Sequence, residues 1–164
     1  MDPLTQLAEK ICPEWISRPN PEFSDLEKIN HIMEQIMPGH IGMKITSVGK
    51  KEVCGSILWD KQKSANFIGG IHGGATFTLG DTLAGVLLWV NSDGSYFGVT
   101  KSSQIQYFRP IRQGTLYCTV SECYRDAKIV KVRALFTDEK NHKISEMEIQ
   151  FSLHKFIKKS SSSK

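Results

Sequence analysis

The sequence predicts an α+β fold in which a curved antiparallel sheet wraps around one long helix. Three observations lead there. The hydrophobic period is helical before residue 38 and alternating after residue 41. One long apolar run, residues 73–90, interrupts the strand-like part at helical length. The four strand-like segments after it are joined by short turn sequences, which predicts an antiparallel meander. One face of such a sheet can be wetted but the other needs a cover, and 73–90 is the long apolar helix at hand.

The elements follow in order. T-Q-L-A-E-K-I is a short helix candidate, and S-D-L-E-K-I-N-H-I-M-E-Q-I-M is a stronger one. In the second, Ser24 caps, Glu27 completes a capping box, and Leu26, Ile29, Ile32, Met33 and Ile36 share an apolar face. Pro38-Gly39 ends the helical part. I-G-M-K-I-T-S-V and V-C-G-S-I-L-W read as the arms of a hairpin. The long helix stops at N-S-D-G, residues 91–94. Y-F-G-V-T-K-S-S-Q-I-Q-Y-F, T-L-Y-C-T-V-S-E-C-Y, K-I-V-K-V-R-A-L-F-T and K-I-S-E-M-E-I-Q-F-S-L-H-K-F are the closing strands, connected by R-P-I-R-Q-G, R-D-A and D-E-K-N-H. The expected division is an N-terminal helical extension at 1–38, the main domain at 39–157 and a flexible, low-complexity tail at 158–164.

Composition bounds the function. With 164 residues, 40% hydrophobic and 23% charged, the chain reads as one soluble domain whose core needs no disulfide or metal staple. The net charge of +4 is mild and dispersed, without a basic stripe or interleaved aromatics, so a nucleic-acid partner is not expected. It suits an anionic small molecule. Cys12, Cys54, Cys118 and Cys123 are scattered, and the start lacks the charged and apolar regions of a signal peptide. These features point to reduced thiols in a cytoplasmic protein, with Cys118 and Cys123 buried in a strand. The run 73–90 contains an Asp and four glycines and falls short of the ~20 apolar residues of a membrane span, so no membrane partner is expected.

Asp81 is the one charge between Gly73 and Val90. On a helical wheel it lies opposite Leu79, Leu83, Val86, Leu87 and Val90. Its own side carries Gly74, Phe77, Ala84, Gly85 and Leu88, which is no solvated face. Such a helix is buried by its sheet on one side and by a partner on the other. A carboxylate confined there has a base's chemistry available, and a structural ion pair is the bland alternative. His72-Gly73-Gly74 opens the helix, where the first N–H groups lack intrahelical partners and can hold a carbonyl oxygen as it gains charge. On one helix Gly73 and Asp81 lie roughly 12 Å apart, too far to share a reacting carbon. If both act on one substrate, Asp81 comes from a second copy in a two-fold dimer.

The stretch resembles the hotdog-fold acyl-CoA thioesterases, in particular the phenylacetic acid degradation (PaaI-like) branch, over about residues 40–156. The resemblance rests on Asn66 six residues before His72-Gly73-Gly74, on Asp81 nine residues after that His, and on Y-F-R-P-I-R-Q-G after the next strand. It implies a hotdog fold and hydrolysis of acyl-CoA to a free acid and coenzyme A, with no cofactor and no metal. The Gly73 N–H would polarise the thioester carbonyl, and Asp81 of the partner subunit would be the nucleophile or general base. Asn66 would orient the water or acyl group, with His72 near the sulfur. Thr100 holds the place of an assisting hydroxyl, with Ser102 as fallback. Gly74 and Phe67 (with Ile68) would contact substrate, and Lys101, Arg109 and Arg112 would meet the coenzyme A phosphates. A homodimer with shared sites, assembled into a homotetramer as a dimer of dimers, is implied too. Two other readings stay open: an acyl-CoA-binding hotdog protein without turnover, and a hotdog enoyl hydratase or dehydratase.

Overall fold

The computed structural model describes residues 26–92 and 95–155. The first helix candidate, Ser24, Cys12 and the tail lie outside them. Helix α1 (Leu26–Glu34) and a short α2 (Met37–His40) lead into β1 (Met43–Val48) and β2 (Glu52–Leu58). The long helix α3 (Gly73–Ser92) follows, then β3 (Tyr96–Tyr107), β4 (Thr115–Arg125), β5 (Ile129–Thr137) and β6 (Lys143–Lys155). The fold is α+β and hotdog-like, with α3 held against the antiparallel sheet as the sequence predicts.

Alternation writes the sheet. In β4, Leu116, Cys118 and Val120 are buried while Tyr117 and Ser121 are exposed, and β5 buries Val130, Val132, Ala134 and Phe136. These inward residues meet Leu79, Leu83 and Leu87 of α3, each without exposure, and each worth about 1.5–3 kcal/mol of burial. By length and composition α3 could cross a membrane, yet here it is the core helix of this sheet. The approach is close at Gly80, where a Cβ would stand 2.8 Å from Phe136 Cζ and 3.1 Å from Met147 Sδ. Only glycine lets helix and sheet meet there.

Three expectations are corrected. Pro38-Gly39 does not end the helical part but lies inside α2, because proline in a first turn lacks only an N–H that has no partner there anyway. The closing strands are not a simple meander. The sheet order is β1-β2-β4-β5-β6-β3, so β3 pairs with β6 and its connection to β4 crosses the end of the sheet. Pro110 cannot donate to a ladder, and the Ile111 carbonyl accepts from Ile71 N–H at 2.8 Å, which ties residues 108–114 across the entrance to α3. Cys118 is buried and its thiol is pushed well above the usual range, first by desolvation and then by Cys54. Cys123, in contrast, is exposed at a bulge between Glu122 and Tyr124, where the alternation breaks.

The edge of β1 is partly covered. Asn30 on α1 accepts from Ile45 N–H and donates to Ile45 C=O, both at 2.8 Å, as a neighbouring strand would. Ile29 and Met33 bury the apolar face beside it.

Candidate active site

The chain between β2 and α3 is fixed by its own polar groups. Asp60 Oδ1 accepts from the N–H groups of Gln62 and Lys63, and Ser64 Oγ accepts from Asp60 N–H at 2.9 Å. Asn66 Oδ1 accepts from Ile68 N–H at 3.1 Å and Gly70 N–H at 3.0 Å. Two donors on one oxygen fix the orientation of the amide, so Nδ2 is what Asn66 offers to a ligand. His72 N–H donates to the Ser64 carbonyl at 2.7 Å, which sets the start of α3.

At that start His72 acts as a cap. Its Nδ1 accepts from Gly74 N–H at 2.8 Å, so the neutral ring carries its proton on Nε2. Gly74 spends its N–H on this bond. Tyr107 at the end of β3 donates its hydroxyl to the Gly73 carbonyl at 2.8 Å. Burial holds the Tyr107 phenol above the usual tyrosine range, so it stays a neutral donor. A Cβ on residue 73 would come within 3.2 Å of that hydroxyl, so a larger residue would push Tyr107 out of place.

Beside Gly73 opens a cavity of about 390 Å³. Asn66, Thr76, Tyr107 and Arg109 supply polar groups to its wall, and Ile68, Ile71, Ile111 and Leu116 supply apolar ones. Phe67 is not in that wall but stands fully exposed. Asp81 is absent from it too. Two turns along α3, Asp81 sits half-buried and its Oδ1 accepts from Thr100 Oγ1 at 2.9 Å. Gly74, Thr78, Asp81 and Gly85 form a stripe at helical spacing that the sheet leaves incompletely buried. One helix therefore carries two separate features: a cavity beside its first N–H groups, and a carboxylate with its hydroxyl partner two turns on.

Thr100, and not Ser102, meets Asp81. A bulge between Thr100 and Ser102 makes Lys101 the extra residue, so Thr100 and Ser102 occupy successive positions of the ladder with β6. Of the three cations expected at the mouth, Arg109 lines the cavity, Arg112 is exposed on the same connection, and Lys101 stands beside Thr100. Tyr107, Thr76 and Ser145 were not foreseen. Tyr107 had a signal in the Tyr-Phe-Arg-Pro step, Thr76 lies in the first turn of α3 one turn after His72, and Ser145 is brought in by sheet order. Among the described residues no group of His, Cys, Asp and Glu could hold a metal ion.

Residues 68–145 match the family model of the Thioesterase superfamily. Among solved structures, a thioesterase from Haemophilus influenzae aligns at 17% identity over 82% of this chain and 93% of that one, with a TM-score of 0.76. A protein from Streptococcus mutans bound to acetyl CoA aligns at 21% identity over 71% and 92%, with a TM-score of 0.62. A hypothetical thioesterase protein with coenzyme A from Streptococcus pneumoniae aligns at 18% over 70% and 90%, with a TM-score of 0.63. No curated protein matches the sequence. The matched span is less than half of the 164-residue chain, and the solved structures share its hotdog-like fold.

Proposed function

We propose that the protein hydrolyses acyl-coenzyme A thioesters to a free carboxylic acid and coenzyme A, at a site shared by two copies of the chain. The single observation that carries this reading is the split along α3. Asn66, Gly73 and the cavity lie at its start, while Asp81 with Thr100 lies two turns on and outside the cavity wall. A two-fold pairing along the incompletely buried stripe brings the Asp81 of one copy to the cavity of the other. Two structural relatives hold acetyl CoA or coenzyme A, which supports the choice of ligand.

In this scheme the thioester carbonyl oxygen accepts from Gly73 N–H at the positive end of α3. Asn66 Nδ2 orients the attacking water. Asp81 of the second copy takes a proton from that water as its oxygen bonds to the acyl carbon. Thr100 holds one carboxylate oxygen, so the other is the base. When the tetrahedral intermediate collapses, the carbon–sulfur bond breaks and the thiolate takes the proton that Asp81 removed from water, while the Nε2–H of His72 donates a hydrogen bond to the sulfur. Coenzyme A is part of the substrate. Lys101, Arg109 and Arg112 meet its phosphates. The finer placement is the PaaI-like branch, in the cytoplasm, as a homodimer that pairs into a tetramer.

Thiol release on short, medium, long and aromatic acyl-CoAs tests the reading, with Asp81→Ala beside the wild type. The expected result is turnover of at least one class and a loss of at least ~100-fold in kcat for the variant. No release from any ester overturns it.

A further inference from the structure

The Tyr107 hydroxyl has no part in the hydrolysis scheme, yet it is tied to a group that does. It donates to the Gly73 carbonyl at 2.8 Å, and Gly74 N–H donates to His72 Nδ1 at 2.8 Å. That carbonyl and that N–H are the two ends of one peptide group. They share electrons through the partial double bond between them, so a donor at the oxygen makes the N–H a stronger donor. One line of hydrogen bonds therefore runs from Tyr107 through the peptide to Nδ1, with Nε2–H on the far side of the ring. Both glycines make room for it. The φ of neither lies in the left-handed region, so the backbone itself does not call for them. A Cβ on residue 73 would stand 3.2 Å from the Tyr107 hydroxyl and 3.3 Å from its Cζ, and one on residue 74 would stand 2.9 Å from His72 Nδ1. A side chain at either place crowds one end of the line.

We infer that Tyr107 is a positioning residue for His72, acting through the Gly73–Gly74 peptide. It strengthens the hydrogen bond that holds Nδ1 as an acceptor, and so keeps the ring with Nε2–H free for the leaving sulfur. The role at the sulfur rests on the thioester-hydrolase reading, whereas the coupling between Tyr107 and His72 does not. Sheet order supplies the hydroxyl. Tyr107 is the last residue of β3, opposite Ser145 on β6, and lies 34 residues from Gly73 in sequence. Phenylalanine would fill the same part of the cavity wall and leave the Gly73 carbonyl without this donor. His72 and Gly74 are exposed, so water competes for the bond between them, and a stronger N–H donor counts there. Transmission is partial, since one bond feeding another strengthens it by about 10–30%.

The test is nuclear magnetic resonance of the full chain without substrate, wild type beside Tyr107→Phe, which keeps the ring over Gly73 and removes only the hydroxyl. At a pH where the His72 ring is neutral, the variant is expected to move the Gly74 amide proton upfield. The Nδ1 nitrogen is expected to move toward the resonance of an imidazole nitrogen that accepts no hydrogen bond. A residue that merely fills the wall would leave Nδ1 where it is. The same substitution is expected to lower kcat for thiol release about threefold with KM little changed, a part of one hydrogen bond's worth. In a His72→Ala background, where the line has no acceptor, it is expected to lower kcat by less than about 1.5-fold, as coupled sites require. An unmoved Nδ1 resonance, an unchanged kcat in an active enzyme, or an equal loss in both backgrounds overturns the inference. The two readouts separate the two claims. Moved resonances without thiol release from any ester remove the hydrolase reading and keep the coupling. Release with unmoved resonances removes the coupling and keeps the hydrolase.

Discussion

In the proposed site, Asn66 and His72 each spend one side-chain atom on the backbone and keep another for a ligand. Asn66 gives Oδ1 to the N–H groups of Ile68 and Gly70, and His72 gives Nδ1 to Gly74 N–H. The loop and helix start are thereby set before any substrate arrives, which is what positioned catalysis requires. Asp81 follows the same pattern through Thr100. Thr100→Val removes a hydrogen bond to a charged group, so kcat for thiol release is expected to fall about tenfold with KM little changed. An unchanged kcat would remove Thr100 from the site. At this scale the sequence was informative where a residue type is rare in its setting. A lone acid in an apolar helix is visible without a structure. Ser145 was not, because a serine inside K-I-S-E-M-E-I-Q-F reads as ordinary strand, and only its neighbours across the sheet give it a cavity.

The elements owe their positions to close approaches and to turns. Gly80 lets α3 settle against Phe136 and Met147, so Gly80→Val overpacks that contact. It is expected to lower unfolding free energy by about 1–3 kcal/mol, measured by urea denaturation. Unchanged stability would mean that the helix does not sit this close. The β4–β5 turn is held by Asp126, whose carboxylate accepts from Lys128 N–H and Ile129 N–H at 2.7 Å and from the Tyr124 hydroxyl at 2.9 Å. The Lys128 bond first, then those of Ile129 and Tyr124, hold its carboxyl below the usual aspartate range. The unfolded chain therefore takes up this proton first as pH falls. The contribution is present above the ordinary aspartate pKa and is lost as pH drops through the lower folded value. Melting temperatures of the wild type are expected to fall across that window more steeply than those of Asp126→Ala, and parallel curves would contradict this. Strand and helix periods were legible at this scale, as were the turn residues. Pro38 misled because the same residue that stops a helix from within also starts one, and only the first-turn geometry decides between them.

For the whole molecule, the decisive facts are sheet order and an open helix stripe. β3 closes the sheet on β6, and its other edge pairs with no strand among the described residues. A long unpaired edge beside an incompletely buried stripe of α3 is where a second copy would dock, bringing Asp81 to the cavity of its neighbour. Adjacent turn sequences suggested a plain meander, since local turn chemistry is silent on which strands become neighbours. The crossing of residues 108–114 depends on contacts from Ile111 to Ile71 that are distant in sequence. The shared site is the central claim, and subunit mixing tests it most directly. Asn66→Asp keeps the oxygen acceptors of the loop and removes the Nδ2 donor, while Asp81→Ala removes the base. Each variant alone is expected to release little thiol from acyl-CoA. Co-expressed as mixed dimers, they are expected to recover activity, because one site then has an intact Asn66 from one chain and an intact Asp81 from the other. Mixed dimers that form and stay as inactive as the parents would contradict the account, because the site would then lie within a single chain.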